Sequence, residues 1–276
     1  MATILITGAT DGLGRALAQH LAGRPDAGPA PTFLLHGRDQ TKLDAVMTSL
    51  PGVDVRTFRA DFADLTEVRG FAAAVNDQVD RLDVLINNAG IGSGEPDGRD
   101  RRISRNGYEL RFAVNYLAGF LLTAELLPLL RATRAARIVN VASIGQHPLD
   151  FDDLMIERRY NGGRAYGQSK LAQIMFGFEL ADRVDPAEAT VNSLHPSTYM
   201  PTKMVLAEIG HAVDKLSDGV NATAFLATSP TLDGVTGQFF DRTRPARANE
   251  QAYDEKARAE LWRRSIELTD VPDDFA

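Results

Sequence analysis

The chain has 276 residues, 44% of them apolar and 24% charged, which fits one large α/β domain or two small ones. Its 37 acidic and 30 basic residues leave a net charge of −7, so no excess of cations is present to meet phosphates and nucleic acid is excluded as the main partner. There is no cysteine, which excludes disulfides, thiolate metal sites and a cysteine nucleophile, and fits the reducing cytoplasm.

Residues 3–7 (TILIT) are a short β-branched run, predicted as a buried strand that starts too early for a signal peptide. Gly8, Ala9, Thr10, Asp11, Gly12, Leu13 and Gly14 follow at once, ahead of a helical pattern over 15–21. Strand, glycine turn and helix together form the context for dinucleotide binding. The glycines let the backbone approach a pyrophosphate, and the helix N-terminus supplies free N–H groups and a positive dipole end. A Pro/Gly loop over 23–31 lengthens the first crossover. Strands are predicted at 32–36, 53–58 and 82–86, with helices at 40–50 and 65–79 between them.

The fourth strand runs into Asn88, Ala89 and Gly90 and a glycine-rich loop over 91–100. A long helix is predicted over 106–131. Its most apolar stretch, 118–130, carries Glu125 and Pro128 and is too short to span a bilayer. A fifth strand at 138–142 ends at Ser143, and a long connection covers 145–163. A helix over 164–184 follows, then a strand at 190–194, a helix at 214–227, a strand at 237–240 and a C-terminal helix around 250–268. No domain linker interrupts residues 1–276. Alternating strands and helices predict a single α/β domain, a doubly wound Rossmann-type parallel sheet of about seven strands with helices on both faces.

The candidate site residues sit where strands end: Gly8, Asn88, Ser143, and His195 with Pro196. Ligands of open parallel sheets bind at those carboxyl ends. On the helix over 164–184, Tyr166 and Lys170 lie one turn apart on the same face. A lysine held at ~4 Å is worth about 4 kcal/mol at an effective dielectric of 20, so it is expected to lower the phenol's pKa from its usual ~10. That would make Tyr166 a general acid/base near neutral pH. The five histidines show no metal-ligand spacing, and the cluster of Asp150, Asp152 and Asp153 is read as a solvated loop, so no metal is expected. The second strand ends in His36-Gly37-Arg38 with no carboxylate at its tip. Arg38 therefore points to a 2′-phosphate and to NADP(H) over NAD(H), with Asp11 a charge in the glycine loop that opposes it. Asp61 and Phe62, after the third strand, are expected beside the adenine.

With these residues in this order, the chain resembles the short-chain dehydrogenase/reductase family over nearly its whole length. Within it, the segments NGYEL (106–110), DFDDL (150–154) and AYGQSKLA (165–172) look most like the retinol-dehydrogenase and protochlorophyllide-reductase type. The resemblance implies that Tyr166 protonates the developing alkoxide, that Lys170 lowers its pKa and bonds the nicotinamide ribose, and that Ser143 donates to the substrate oxygen. It also implies that Asn115 holds a water joining Lys170 to solvent, with Pro196 and Thr198 on the nicotinamide side of the cofactor. Departures are the length of the 145–163 connection, Pro196-Ser197 where relatives show Pro-Gly, and the stretch Tyr116-Leu117-Ala118-Gly119 where close relatives carry a histidine.

The expected activity is interconversion of a hydrophobic ketone or aldehyde and its alcohol, under an apolar lid over residues 198–210. The alternatives are a dinucleotide-binding regulator without turnover and a nucleotide-sugar epimerase or dehydratase on the same fold. The protein is expected to act as a monomer or homodimer on a small molecule.

Overall fold

Eight strands form one sheet in the order β3-β2-β1-β4-β5-β6-β7-β8 in the computed structural model, which describes residues 2–23, 31–94 and 98–276. The first seven are parallel: β1 (Thr3–Ile6), β2 (Thr32–Gly37), β3 (Val55–Arg59), β4 (Val84–Asn87), β5 (Ala136–Val141), β6 (Ala189–His195) and β7 (Gln238–Asp241). The eighth, β8 (Arg244–Ala246), returns antiparallel along β7. Three residues containing a proline carry no periodicity, so the sequence gives no sign of it.

The helices are α1 (Gly12–Ala22), α2 (Gln40–Thr48), α3 (Leu65–Gln78), α4 (Leu110–Phe112), α5 (Ala118–Thr133), α6 (Gly162–Arg183), α7 (Lys203–Ile209), α8 (Leu216–Thr228) and α9 (Glu255–Thr269). Side-chain caps set several starts: Asp39 on α2, Asp64 on α3, Asn161 on α6 and Asp254 on α9. Asp254 also divides the expected C-terminal helix, leaving Glu250–Tyr253 as a separate 3₁₀ turn. The long central helix begins four residues later than the sequence predicts. Gly107 has φ +84°, and Asn106 is spent accepting a bond from Leu65 N at 2.9 Å, which caps α3.

Between α4 and α5 the backbone widens into a π segment, Ala113–Leu117. Together Leu110–Thr133 are long and apolar enough to cross a membrane, but 72% of the apolar 18-residue window within them is buried in the protein, and Phe120, Leu121 and Leu122 are fully buried. It is a core helix. Two apolar clusters occupy the two faces of the sheet. One gathers α3, α5, α6 and α9; the other gathers α1 and α8. The predicted 23–31 loop falls largely outside the described residues.

The C-terminal helix lies across α6. Trp262 stacks on Phe275 at 4.9 Å and meets Phe120 edge-on at 5.5 Å, and the Arg183 guanidinium sits 4.4 Å from its ring. Trp262→Ala is expected to cost about 3–5 kcal/mol, as for other buried Trp and Phe truncations. Denaturant unfolding measures it; a loss below about 1 kcal/mol would mean that α9 contributes little to the core.

Candidate active site

The carboxyl ends of the strands open into one cleft of about 810 Å³. Its floor is the glycine loop. Gly8 and Gly12 have φ of +67° and +49°, conformations open to glycine, and a Cβ on Gly14 would stand 2.3 Å from the Gly8 carbonyl. The loop therefore needs all three glycines, and it delivers the N-terminus of α1 to the cleft. This is a cradle for a diphosphate. His36, fully buried at the end of β2, supports it from below: Nδ1 accepts from Gly8 N at 3.2 Å and Nε2 bonds Ala60 O at 3.0 Å. Burial depresses its pKa to about 4, so the ring is neutral and serves as a spacer. Sequence reading missed this role, because nothing local marks a strand-end histidine as a loop support.

Across the switch point between β1 and β4, Thr7 Oγ1 accepts from Asn88 N and Ala89 N, both at 2.9 Å, and Asn88 Nδ2 donates to Thr7 O at 2.7 Å. Gly90 lies close to Lys170 Nζ, 3.6 Å from where its Cβ would stand. Thr10, Leu13, Arg38, Asp61, Phe62, Pro196 and Thr198 also line the cleft. Phe62 is more buried than expected, because its ring stacks on His36 at 4.1 Å. Lys42, on the first turns of α2, joins Arg38 in the lining and was not read from the sequence. Asp11 caps α1 and is paired with Lys203 of α7 at 2.7 Å, which offsets the charge expected to oppose a phosphate.

At the other end, β5 leads into Ser143 and α6 presents Tyr166, and both line the cleft. Lys170, one turn on, is buried, and its Nζ donates to Val141 O at 2.8 Å and to Gln173 Oε1 at 3.3 Å. The expected lowering of the Tyr166 pKa is corrected. Nζ stands 5.9 Å from the ring centroid, burial penalises the phenolate, and the phenol is pushed above its ordinary value even with Ser143 acting the other way. Burial also brings Lys170 itself down to about 8.

Asn115 lies in the π segment. Its Oδ1 accepts from Ile91 N at 2.8 Å, and Nδ2 donates to Ile91 O at 3.1 Å and Ser169 Oγ at 2.9 Å. The side chain thus ties the 91–94 loop to α6.

Much of the 198–210 segment lines the cleft. Asp214 Oδ2 holds its base, accepting from Ser197 Oγ, Thr198 N and an Arg242 nitrogen, each at 2.7 Å. Tyr199 enters the segment with φ +46°. Met204 and Glu208 lie over Gly92. The lining here is less uniformly apolar than the sequence implies: Ile144, Tyr199, Met200, Met204, Val205 and Ile209 share it with His147, Arg164 and Glu208. Among the described residues no cluster of His, Asp and Glu could hold a metal.

A profile of the short chain dehydrogenases matches residues 2–209. The chain belongs to this family. Human retinol dehydrogenase 13 is 33% identical over 96% of this chain and 84% of its own, and human retinol dehydrogenase 14 is 35% identical over 94% and 84%. Among solved structures, an uncharacterized protein from Mycobacterium paratuberculosis superposes with a TM-score of 0.78 at 31% identity, covering 98% of this chain and 94% of its own. A short chain dehydrogenase from Salmonella enterica gives 0.66 at 26% identity, over 87% and 95%. This short-chain dehydrogenase is thus an NAD(P)-dependent oxidoreductase of alcohols and carbonyls, of the retinol-dehydrogenase type.

Proposed function

We propose that the protein is an NADP(H)-dependent carbonyl reductase acting on a hydrophobic ketone or aldehyde, with residues 198–210 as the substrate lid. The observation that carries the cofactor preference is the pair of cations, Arg38 and Lys42, lining the cleft beyond β2, with no carboxylate at the strand tip. The 2′-phosphate would lie between them. The diphosphate would lie on the loop of Gly8, Gly12 and Gly14, the adenine near Asp61 and Phe62, and the nicotinamide end among Asn88, Ala89, Gly90, Lys170, Pro196 and Thr198.

When bound, the cofactor supplies the hydride. The protein supplies the rest. Ser143 Oγ donates a hydrogen bond to the substrate oxygen, where negative charge develops. Tyr166 Oη donates its proton to that oxygen as the C–H bond forms, and solvent returns a proton to the phenolate. Lys170 holds positive charge behind Tyr166 while it is protonated. The lid excludes water and offers apolar contacts from Met200, Met204, Val205 and Ile209. Glu208 and Arg164 leave room for a polar group at the outer end of the substrate.

A panel of ketones and aldehydes with NADPH tests the activity; no turnover of any would sink it. The cofactor reading has its own test. Charge-assisted hydrogen bonds are worth about 1.5–3 kcal/mol each, or roughly ten- to a hundredfold in affinity. NADPH is therefore expected to exceed NADH by at least about tenfold in kcat/KM, and Arg38→Ala to remove most of that preference. Equal use by the wild type, or the same ratio in the variant, would show that Arg38 does not read the phosphate.

A further inference from the structure

A buried ionic network that the reaction does not use stands beside the substrate end of the cleft. Arg111 and Glu109 are 0% and 1% exposed. The Arg111 fork reaches the loop after β4: Nε donates to Gly92 O at 2.8 Å and NH2 to Ser93 O at 2.7 Å. Its NH1 donates to the Tyr160 hydroxyl at 2.6 Å, and that hydroxyl donates to Glu109 Oε1 at 2.9 Å. Glu109 Oε2 accepts from Phe112 N at 2.7 Å, which anchors the acid to the start of the central helix. Burial and the Glu109 charge push the Tyr160 phenol well above its ordinary value, so it remains a donor. The same loop is held from the other side. Gly162 N donates to Gly98 O at 3.0 Å, and a Cβ on Gly162 would stand 2.3 Å from Ser93 O.

Stability is a poor reason for such a network, because burying charges costs about as much as their pairing returns. Geometry is a better one. Two donors of a planar guanidinium on two consecutive carbonyls fix the orientation of both peptide units, which a lysine cannot do. Gly92 and Ser93 line the cleft opposite the lid, where Met204 and Glu208 come down on Gly92. Tyr160 belongs to the long 145–163 connection, which is itself tied down by Gln168 Nε2 donating to Leu154 O at 2.7 Å and Arg101 Nε donating to Met155 O at 2.9 Å.

We propose that Arg111, held by Glu109 and Tyr160, is a positioning residue that fixes the Gly92–Ser93 wall and thereby the face of the carbonyl presented to the cofactor. The long connection serves to bring Tyr160 into this network. The inference rests on the carbonyl-reductase reading, because facial selectivity has meaning only for a prochiral ketone reduced in this cleft.

The test compares the wild type, Arg111→Lys and Tyr160→Phe on prochiral aryl ketones with NADPH. The readouts are the enantiomer ratio of the alcohol, the ketone KM and the Kd of NADPH. An enantiomer ratio does not depend on how much enzyme is folded. Arg111→Lys is expected to lower the ratio and raise KM by roughly tenfold each, as a misplaced wall should, with the NADPH Kd within about twofold. Tyr160→Phe should move both in the same direction by less. If Arg111→Lys does not fold, Tyr160→Phe decides alone. An unchanged enantiomer ratio in the folded variants overturns the proposal, as does racemic alcohol from every ketone the wild type reduces. An equal loss of NADPH affinity also overturns it, because the network would then serve the whole cleft. Absence of any ketone turnover by the wild type is a different failure: it removes the functional reading, and this inference with it.

Discussion

Tyr166→Phe is expected to lower kcat by about 10²–10⁴-fold while the NADPH Kd changes little. The substitution removes one oxygen. The ring stays beside Gly145, and Ser143 keeps its bond from Gly145 N at 3.0 Å. Ser143 can still donate a hydrogen bond to the substrate oxygen, but its hydroxyl is too weak an acid to give up a proton. The barrier therefore rises with the transition state and not with cofactor binding.

The pH dependence has a definite sign. Burial raises the phenol above its usual value, so Tyr166 remains protonated through the neutral range. Ketone reduction should show no limb from Tyr166 there, whereas alcohol oxidation, which needs the phenolate, should rise with pH. Near-normal kcat in Tyr166→Phe on a substrate that the wild type turns over would remove the assignment.

Lys170→Met should damage both turnover and cofactor affinity. The ammonium is buried with only neutral acceptors, Val141 O and Gln173 Oε1, and burial brings its pKa to about 8. A charge in so dry a position acts strongly on whatever shares the cleft. We expect kcat to fall roughly a hundredfold. The NADPH Kd should weaken roughly ten- to a hundredfold, the worth of one charge-assisted hydrogen bond.

The folded-state pKa lies below the unfolded ~10.4, so charging Lys170 costs stability at neutral pH. That cost disappears as pH rises from about 8 through 10.4, where the unfolded chain also loses its proton. Lys170→Met is therefore expected to unfold no earlier than the wild type at pH 7. In kcat/KM for ketone reduction, the wild type should lose activity as pH rises through about 8, and the variant should lack that limb. Unchanged NADPH affinity in the variant would show that Lys170 does not touch the cofactor.

Much of this cleft was legible in the chain itself. A β-branched run, then glycines where backbone must turn and approach a phosphate, then a helix start are local chemistry. So are a tyrosine and lysine one helical turn apart, and the lack of an acid after His36 and Gly37. Each constrains φ, periodicity or charge within a few residues, and the structure brings all of them to one edge of one sheet. The alternation of strands and helices fixed the doubly wound topology for the same reason, since parallel neighbours require crossovers.

Tertiary structure alone decided the rest. The direction of the Lys170 ammonium depends on Val141, 29 residues away, and on the burial of α6. The pairing of Asp11 with Lys203 depends on a helix nearly 200 positions downstream, and the Arg111 network joins three segments that share no periodicity. His36 became a loop support only because β1 and β2 are neighbours. Charges and polar groups far apart in sequence carry no local signature. Their pKa values, partners and orientations follow from desolvation and distance, and those exist only once the sheet has closed over them.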